Sequence, residues 1–339
     1  MTNDSIRPVT PGELLEISGY YWKTCTLHAA VKLDVFTLIG KEAKRADVLA
    51  SEIGADERAL TFLLNALSAM GLLQKKQEAY ANTETAVKFL SRASEAYIGY
   101  MILHHHHLFE SWGRLDRSVL TGKPVRERTS IGESEWREAF LMGMFNNAMG
   151  IAPQLAPQID LSKRYRLLDL GGGPGTYAVF FCKHHPQLAA TVFDLETSRS
   201  FAEKIFAQFG MKDRISFHGG DYLKDAIPGT YDVAWLSHIL HGEGPAECRD
   251  LVRKAVSVLE PGGLILIHDF ILNDSMDSPL FPALFSLNML LGTPKGQSYS
   301  QRQIIDILQG AGVEDIRRHP FRGPTESGIL MGTAPSRNP

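Results

Sequence analysis

Two histidines three residues apart, His238 and His241, follow the apolar run Asp232-Val-Ala-Trp-Leu-Ser237. Histidine is the side chain whose ordinary pKa lies nearest neutrality, so one held at the carboxyl end of a strand suits general-base work. Acids end other apolar runs: Asp169 after Arg166-Leu-Leu, Asp194 after Ala190-Thr-Val-Phe, and Asp269 after Gly263-Leu-Ile-Leu-Ile-His. A third run, Ile215 to His218, leads into Gly219-Gly-Asp-Tyr222. The first two acids flank a glycine-dense loop, Gly171-Gly-Gly-Pro-Gly175. Glycines there let a ligand approach the backbone where a Cβ would block it. Asp194 lies about twenty residues past the loop, where a ribose-binding carboxylate belongs. Asp221 is placed to accept from an adenine amino group, with Tyr222 packing on the ring.

These residues must be carried by alternating strands and helices. Strand, tight turn and helix over Arg166 to Cys182 is the first unit of a doubly wound nucleotide-binding domain. Further strands are predicted over Ala190–Asp194, Ile215–His218, Asp232–Leu236 and Gly263–Asp269. A dinucleotide loop needs glycine at its first, third and sixth positions. Counting from Gly171, the third is Gly173 but the sixth is Thr176. That speaks against a nicotinamide cofactor.

The first half of the chain is helical in pattern. Pro11 to Gly40 places Leu14, Ile17, Tyr21, Cys25 and His28 along one face. Segments over Arg45–Ile53 and Asp56–Met70 follow, with Asp56 as a cap and Gly71 as a stop. A polar patch from Gln74 to Thr85 fits a short β-wing. The order suggests a winged helix, and so a DNA-binding regulator as the rival class. Glu57–Met70 carries one arginine and is apolar over most of its circumference. Reading DNA needs Lys or Arg and polar side chains, whereas an apolar helix is buried, here against a second subunit. Residues 96–150 read as connecting helices, with Ile98, Ile102, His105, Phe109 and Trp112 on one apolar stripe. In the run His104–His107, consecutive helical side chains point about 100° apart and cannot converge on one metal ion. His105 is expected to turn inward, as a core or pocket-lining group.

Composition bounds the partners. A net charge of −3 gives no electrostatic case for nucleic acid or an anionic membrane. The three cysteines, Cys25, Cys182 and Cys248, are far apart and fit no disulfide framework. With no signal-peptide pattern at Met1–Pro11 and no long apolar run, the expectation is a cytoplasmic, soluble protein.

The pattern Asp169-x-Gly171-x-Gly173-x-Gly175 resembles the first motif of class I S-adenosylmethionine (SAM) methyltransferases. Over its full length the chain resembles the SAM-dependent O-methyltransferases of the plant caffeate, hydroxyindole and bacterial antibiotic or phenazine type. The matching stretches are Leu168–Gly175, Phe193-Asp-Leu195, Gly220-Asp-Tyr222, Leu240-His241 with Cys248, Leu259–Gly263 and Ala311-Gly312. The resemblance implies an N-terminal winged-helix dimerisation domain (residues 1–98), connecting helices lining the acceptor pocket (99–154) and a Rossmann-like SAM-binding catalytic domain (155–339). It implies a homodimer that uses SAM, releases S-adenosylhomocysteine (SAH) and needs no metal. It also implies His241 as general base, with Asp269 orienting it or lining the site. Phe145 and Met149 match a pocket-lining Phe-x-x-x-Met pair, and Met289 falls where a helix covers the acceptor. Asp169, Gly171, Gly173, Asp194, Leu195, Gly220, Asp221, Tyr222, Leu236 and Ser237 are the expected cofactor residues. His238, in the same exit loop as His241, is expected to face the acceptor. One departure stands out: the family's His-Asp-Trp is His241-Gly-Glu243 here, and Gly296–Ser300 lacks a further acid common there. Transfer to sulfur, nitrogen or carbon, and a SAM-binding regulator, are the alternatives to oxygen methylation.

Overall fold

Capping explains where the first helices begin. Thr10 and Glu13 form a reciprocal capping box at helix Pro11–Gly19. The Asp56 carboxylate accepts from the Ala59 N–H, 2.8 Å away, at the start of helix Glu57–Ala69. The computed structural model describes residues 8–128 and 134–336. They fall into two compact units, the first ending at His107 and the second beginning at Leu108. Helix Gly99–Trp112 runs through that point.

In the first unit, strands β1 (Lys44–Arg45), β2 (Leu73–Lys76) and β3 (Ala79–Asn82) form a small antiparallel sheet in the order β1-β3-β2. Its core joins Val35, Phe36, Leu49 and Tyr80 to Leu60, Leu64 and Leu67. Those three leucines are a single face of Glu57–Ala69, while Phe62 on the other side is 57% exposed. That helix is therefore one-sided, not apolar-packed all round. The expected continuous face from Leu14 to His28 is divided between helices Pro11–Gly19 and Tyr21–Lys32. Leu14, Leu15, Ile17 and Trp22 are all more than half exposed.

The helix over 99–112 corrects the sequence reading by one residue. Its buried positions are Met101, His104, Leu108 and Ser111, with Ile102 beside them. His105 faces outward and His104 inward, while Ile98 and Phe109 are substantially exposed. The buried face carries His104 and Ser111 beside Met101 and Leu108, so apolar periodicity pointed to the neighbouring stripe instead. A one-residue offset turns the inward face by about 100°.

In the second unit eight strands form the central sheet: β4 (Arg166–Leu170), β5 (Ala189–Asp194), β6 (Ile215–Gly219), β7 (Tyr231–Ser237), β8 (Leu259–Leu272), β9 (Tyr299–Ser300), β10 (Glu314–Arg322) and β11 (Ser327–Thr333). The order is β10-β11-β8-β7-β4-β5-β6, with β9 added beside β8. Pairings from β6 through β8 are parallel, whereas β11 is antiparallel to β8 and β10. Alternation along the strands splits the core into two layers. Leu167, Val233 and Trp235 pack beneath helix Thr176–His184. Leu168, Leu170, Leu236 and Ile267 pack on the other side with helices Pro245–Ser257 and Gln301–Gln309. Burying side chains such as Trp235, Phe181 and Phe193 contributes about 1.5–3 kcal/mol each. The carboxyl ends of β4, β5, β6 and β7 thereby open on one edge of the sheet.

Candidate active site

At the end of β4 the chain turns through Gly171 and Gly173, both in the left-handed region at φ +66° and +53°. A Cβ on Gly171 would stand 2.5 Å from Ile239 Cγ2, so the turn needs glycine for conformation and for space. The Gly173 N–H donates to Asp194 Oδ2 at 2.8 Å, which ties the loop to the end of β5. Asp194 Oδ1 accepts from the Leu195 N–H at 2.7 Å and from Ser198 Oγ at 2.9 Å. Burial raises the Asp194 pKa, and these three donors oppose the rise. Gly220 donates its N–H to the Asp194 carbonyl at 2.9 Å and leaves room for the Phe193 ring. The loop, Asp194, Leu195 and Gly220 thus form one assembly.

Asp169 is 1% exposed, with both carboxylate oxygens buried and the Ala178 backbone N–H acting on them. A Cβ on Gly172 would lie 2.6 Å from its carboxyl carbon. Burial, with a smaller contribution from Asp194, pushes its pKa up to about 7. The ordinary value in an unfolded chain is near 4. An acid whose pKa rises on folding costs stability as pH climbs past its unfolded value, in full only above the folded one. Asp169→Asn is therefore expected to raise the melting temperature at pH 8 and to change it little at pH 4. At about 2–4 °C per kcal/mol for a domain of this size, the shift is several degrees. Equal shifts at both pH values in a thermal melt would remove the electrostatic explanation.

Asp221 is only partly buried. Its Oδ1 accepts from the Leu223 N–H at 2.9 Å, and Oδ2 pairs with Lys224 Nζ at 2.9 Å. Burial works against it, but the Lys224 and Leu223 donors hold its pKa below the usual carboxylate range. Tyr222 OH donates to Glu243 Oε1 at 2.9 Å, an atom that also accepts from Arg128 Nη2 at 2.6 Å.

At the end of β7 the chain enters a short turn, Leu240–Gly242. His241 Nδ1 and Asp269 Oδ1 are 2.7 Å apart, and the His241 N–H donates to Asp269 Oδ2 at 3.3 Å. Asp269, on β8 and 2% exposed, also accepts from the Phe270 N–H at 2.8 Å. Burial alone would raise its pKa, but His241 and His238 bring it far below the usual range. His238, at φ +56°, has Nδ1 3.6 Å from the same oxygen. Tyr299 OH donates to the Glu243 carbonyl at 2.6 Å, and Cys248 Sγ to the Leu240 carbonyl at 3.2 Å. A Cβ on Gly296 would reach the His241 carbonyl at 2.5 Å. The histidine is thus fixed through both its ring and its backbone. With Nδ1–H donating to the carboxylate, Nε2 is left as the basic atom.

Aromatic rings surround it. The Phe285 ring is 4.7 Å from that of His241, Phe270 is 4.4 Å from His238, and Phe281 is 4.9 Å from Phe270. Phe281, Phe285 and buried Met289 recur every four residues on helix Leu280–Gly292. Sequence reading missed the phenylalanines, although their spacing from Met289 was the available signal. It also missed Arg128, Gly172 and Ser198.

The structure also places the other expected residues. Leu236 is fully buried in the sheet core. Ser237 Oγ stands 3.0 Å from His268 Nδ1. Phe145 is buried in the layer beneath Thr176–His184, with Met149 half-buried against it. His105 belongs to the first unit. Among the described residues, His238, His241 and Asp269 offer atoms within 4.8 Å of one another, which a metal ion could bridge. The 2.7 Å histidine–carboxylate separation is that of a hydrogen bond.

Comparison with known proteins gives the same outline. A family model described as an O-methyltransferase domain matches residues 122–314, and an O-methyltransferase dimerisation domain matches residues 15–92. The chain is 31% identical to 3-hydroxy-5-methyl-1-naphthoate 3-O-methyltransferase of Streptomyces sahachiroi, covering 95% of each chain. An O-methyltransferase family protein from Burkholderia thailandensis superposes with a TM-score of 0.87 at 27% identity, over 98% of this chain and 100% of that one. Human N-acetylserotonin methyltransferase, solved in complex with SAM, shares the fold at a TM-score of 0.83 and 24% identity, over 98% and 99% of the two chains.

Proposed function

Because the chain belongs to the O-methyltransferase family, we propose that it moves the methyl group of SAM to the hydroxyl of a small aromatic acceptor, with His241 as general base. The observation that carries this reading is the 2.7 Å His241–Asp269 hydrogen bond beside the wall of Phe270, Phe281 and Phe285. The naphthoate named for the Streptomyces relative is an aromatic acceptor of this kind. The residues fit SAM: the glycine turn admits backbone approach, and buried Asp169 and half-buried Asp194 bring two carboxyl groups to either side of it. Asp169, Gly171 and Gly173 would hold the methionine part, and Asp194 with Leu195 the ribose. Gly220, Asp221 and Tyr222 would hold the adenine, with Leu236 and Ser237 alongside. Bound SAM supplies an electrophilic methyl group on sulfur.

His241 Nε2 takes the acceptor hydroxyl proton as the oxygen lone pair forms the new O–C bond. With SAM held there, that bond would form as the methyl–sulfur bond gives its electrons to sulfur, which would leave SAH as the product. Holding the reactants in line can lower the barrier by roughly 7–11 kcal/mol. The domain reading is the one given above: dimerisation over 1–98, connecting helices over 99–154 and catalysis over 155–339. Two copies assemble as a homodimer in the cytoplasm. No helix among the described residues is long and apolar enough to cross a membrane.

Methyl-labelled SAM, offered with phenols, catechols, quinols, indoles, thiols and amines in EDTA, tests the reading. Label in a phenolic product is the expected result. Label only in a thiol or amine would demote His241 as base. Transfer that appears only without EDTA would assign an ion to His238, His241 and Asp269.

A further inference from the structure

The stretch His241-Gly-Glu243, where the family carries an acid and an aromatic, is unexplained by the proton transfer. The structure gives each substitution a partner. Gly242 is not in the left-handed region, so its backbone does not require glycine. A Cβ there would collide with Arg128 Nη2. The same Nη2 donates to Glu243 Oε1 at 2.6 Å and to Tyr222 OH at 3.3 Å. Glu243 is 7% exposed, and a carboxylate so buried needs its cation. Lys254 Nζ donates to the Tyr222 carbonyl at 2.6 Å and fixes that residue's backbone. The Arg128 charge also acts on Asp194 and Asp221, the two acids assigned to ribose and adenine.

We infer that Arg128, Gly242 and Glu243 are one matched unit. Glu243 anchors Arg128 across the space that Gly242 leaves open, and the pair fixes the Tyr222 hydroxyl and ring beside the adenine site. Arg128 and Glu243 are therefore positioning residues for SAM, acting through Tyr222. This rests on the SAM site proposed above.

The test is calorimetric titration of the full-length protein with SAH. Arg128→Met and Glu243→Gln are each expected to weaken SAH binding about tenfold, the scale of a lost charge-assisted hydrogen bond. Gly242→Ala removes no polar group yet should weaken binding similarly by displacing the guanidinium. In an Arg128→Met background the same alanine should have no further effect. In a Tyr222→Phe background, Glu243→Gln should lose most of its effect, because coupled sites are not additive. A purely structural stitch predicts additive losses in both cycles, and that result would overturn the inference, as would unchanged affinity in all the variants. If Arg128→Met fails to fold, Gly242→Ala and the Glu243–Tyr222 cycle decide alone. Failure of the wild-type protein to bind SAH would instead overturn the SAM site itself.

Discussion

Replacing His241 with alanine is expected to lower kcat by about 10²–10⁴-fold while leaving SAM affinity unchanged. The loss falls on kcat because the ring partners Asp269 and Phe285, neither of which is assigned to the cofactor. Asp269 spans 2.7 Å to the ring and also receives the His241 N–H and the Phe270 N–H. Its pKa is depressed on folding, so its stabilising contribution is full above the ordinary carboxylate value near 4. That contribution is lost only as pH falls through the much lower folded value. Asp269 therefore stays ionised at every working pH and does not give the rate profile its acid limb. Single-turnover rates with labelled SAM across pH 5–9 provide the measurement. A variant that keeps both rate and acid limb would move the base elsewhere. His238, 3.6 Å from the same carboxylate oxygen, would be examined first.

Asp194→Ala should weaken SAM binding by roughly 10–100-fold, the cost of removing hydrogen bonds to a charged group. The substitution acts twice. It deletes the acceptor proposed for the ribose hydroxyls, and it releases Gly173, Leu195 and Ser198 from their shared carboxylate. Asp194→Asn separates the effects, since an amide oxygen can keep only part of that donor set. Because burial raises the Asp194 pKa, affinity should begin to fall at a higher pH than for a free aspartate. Equilibrium titration with SAH at pH 5 and pH 8 measures both. Unaltered affinity in the alanine variant would place the ribose elsewhere.

The parts of this site visible in the sequence were local ones. Asp169, Gly171 and Gly173 lie within five residues, and a strand–turn–helix unit advertises itself through apolar periodicity and glycine. The strand-end positions of Asp194 and His241 followed from the same punctuation. The His241–Asp269 pair spans 28 residues and was reached through resemblance, not periodicity. The Arg128–Glu243 pair spans 115 residues, and Arg128 sits in no recognisable motif. Its only trace was the missing side chain at Gly242, which read as a defect until its neighbour was in view. His105 was lost for a different reason. The more apolar stripe of its helix is not the buried one, and packing, which a periodic pattern does not encode, chose the face that includes His104 and Ser111.

The first two helices leave Leu15, Ile17 and Trp22 largely uncovered within a segment that matches a dimerisation domain. In the homodimer proposed above, a second copy of the chain covers this surface by mass action and acts as a ligand of the folded state. Folding and association then share one equilibrium. The stability of this unit then carries a concentration term, which melting temperatures measured over a series of protein concentrations would read.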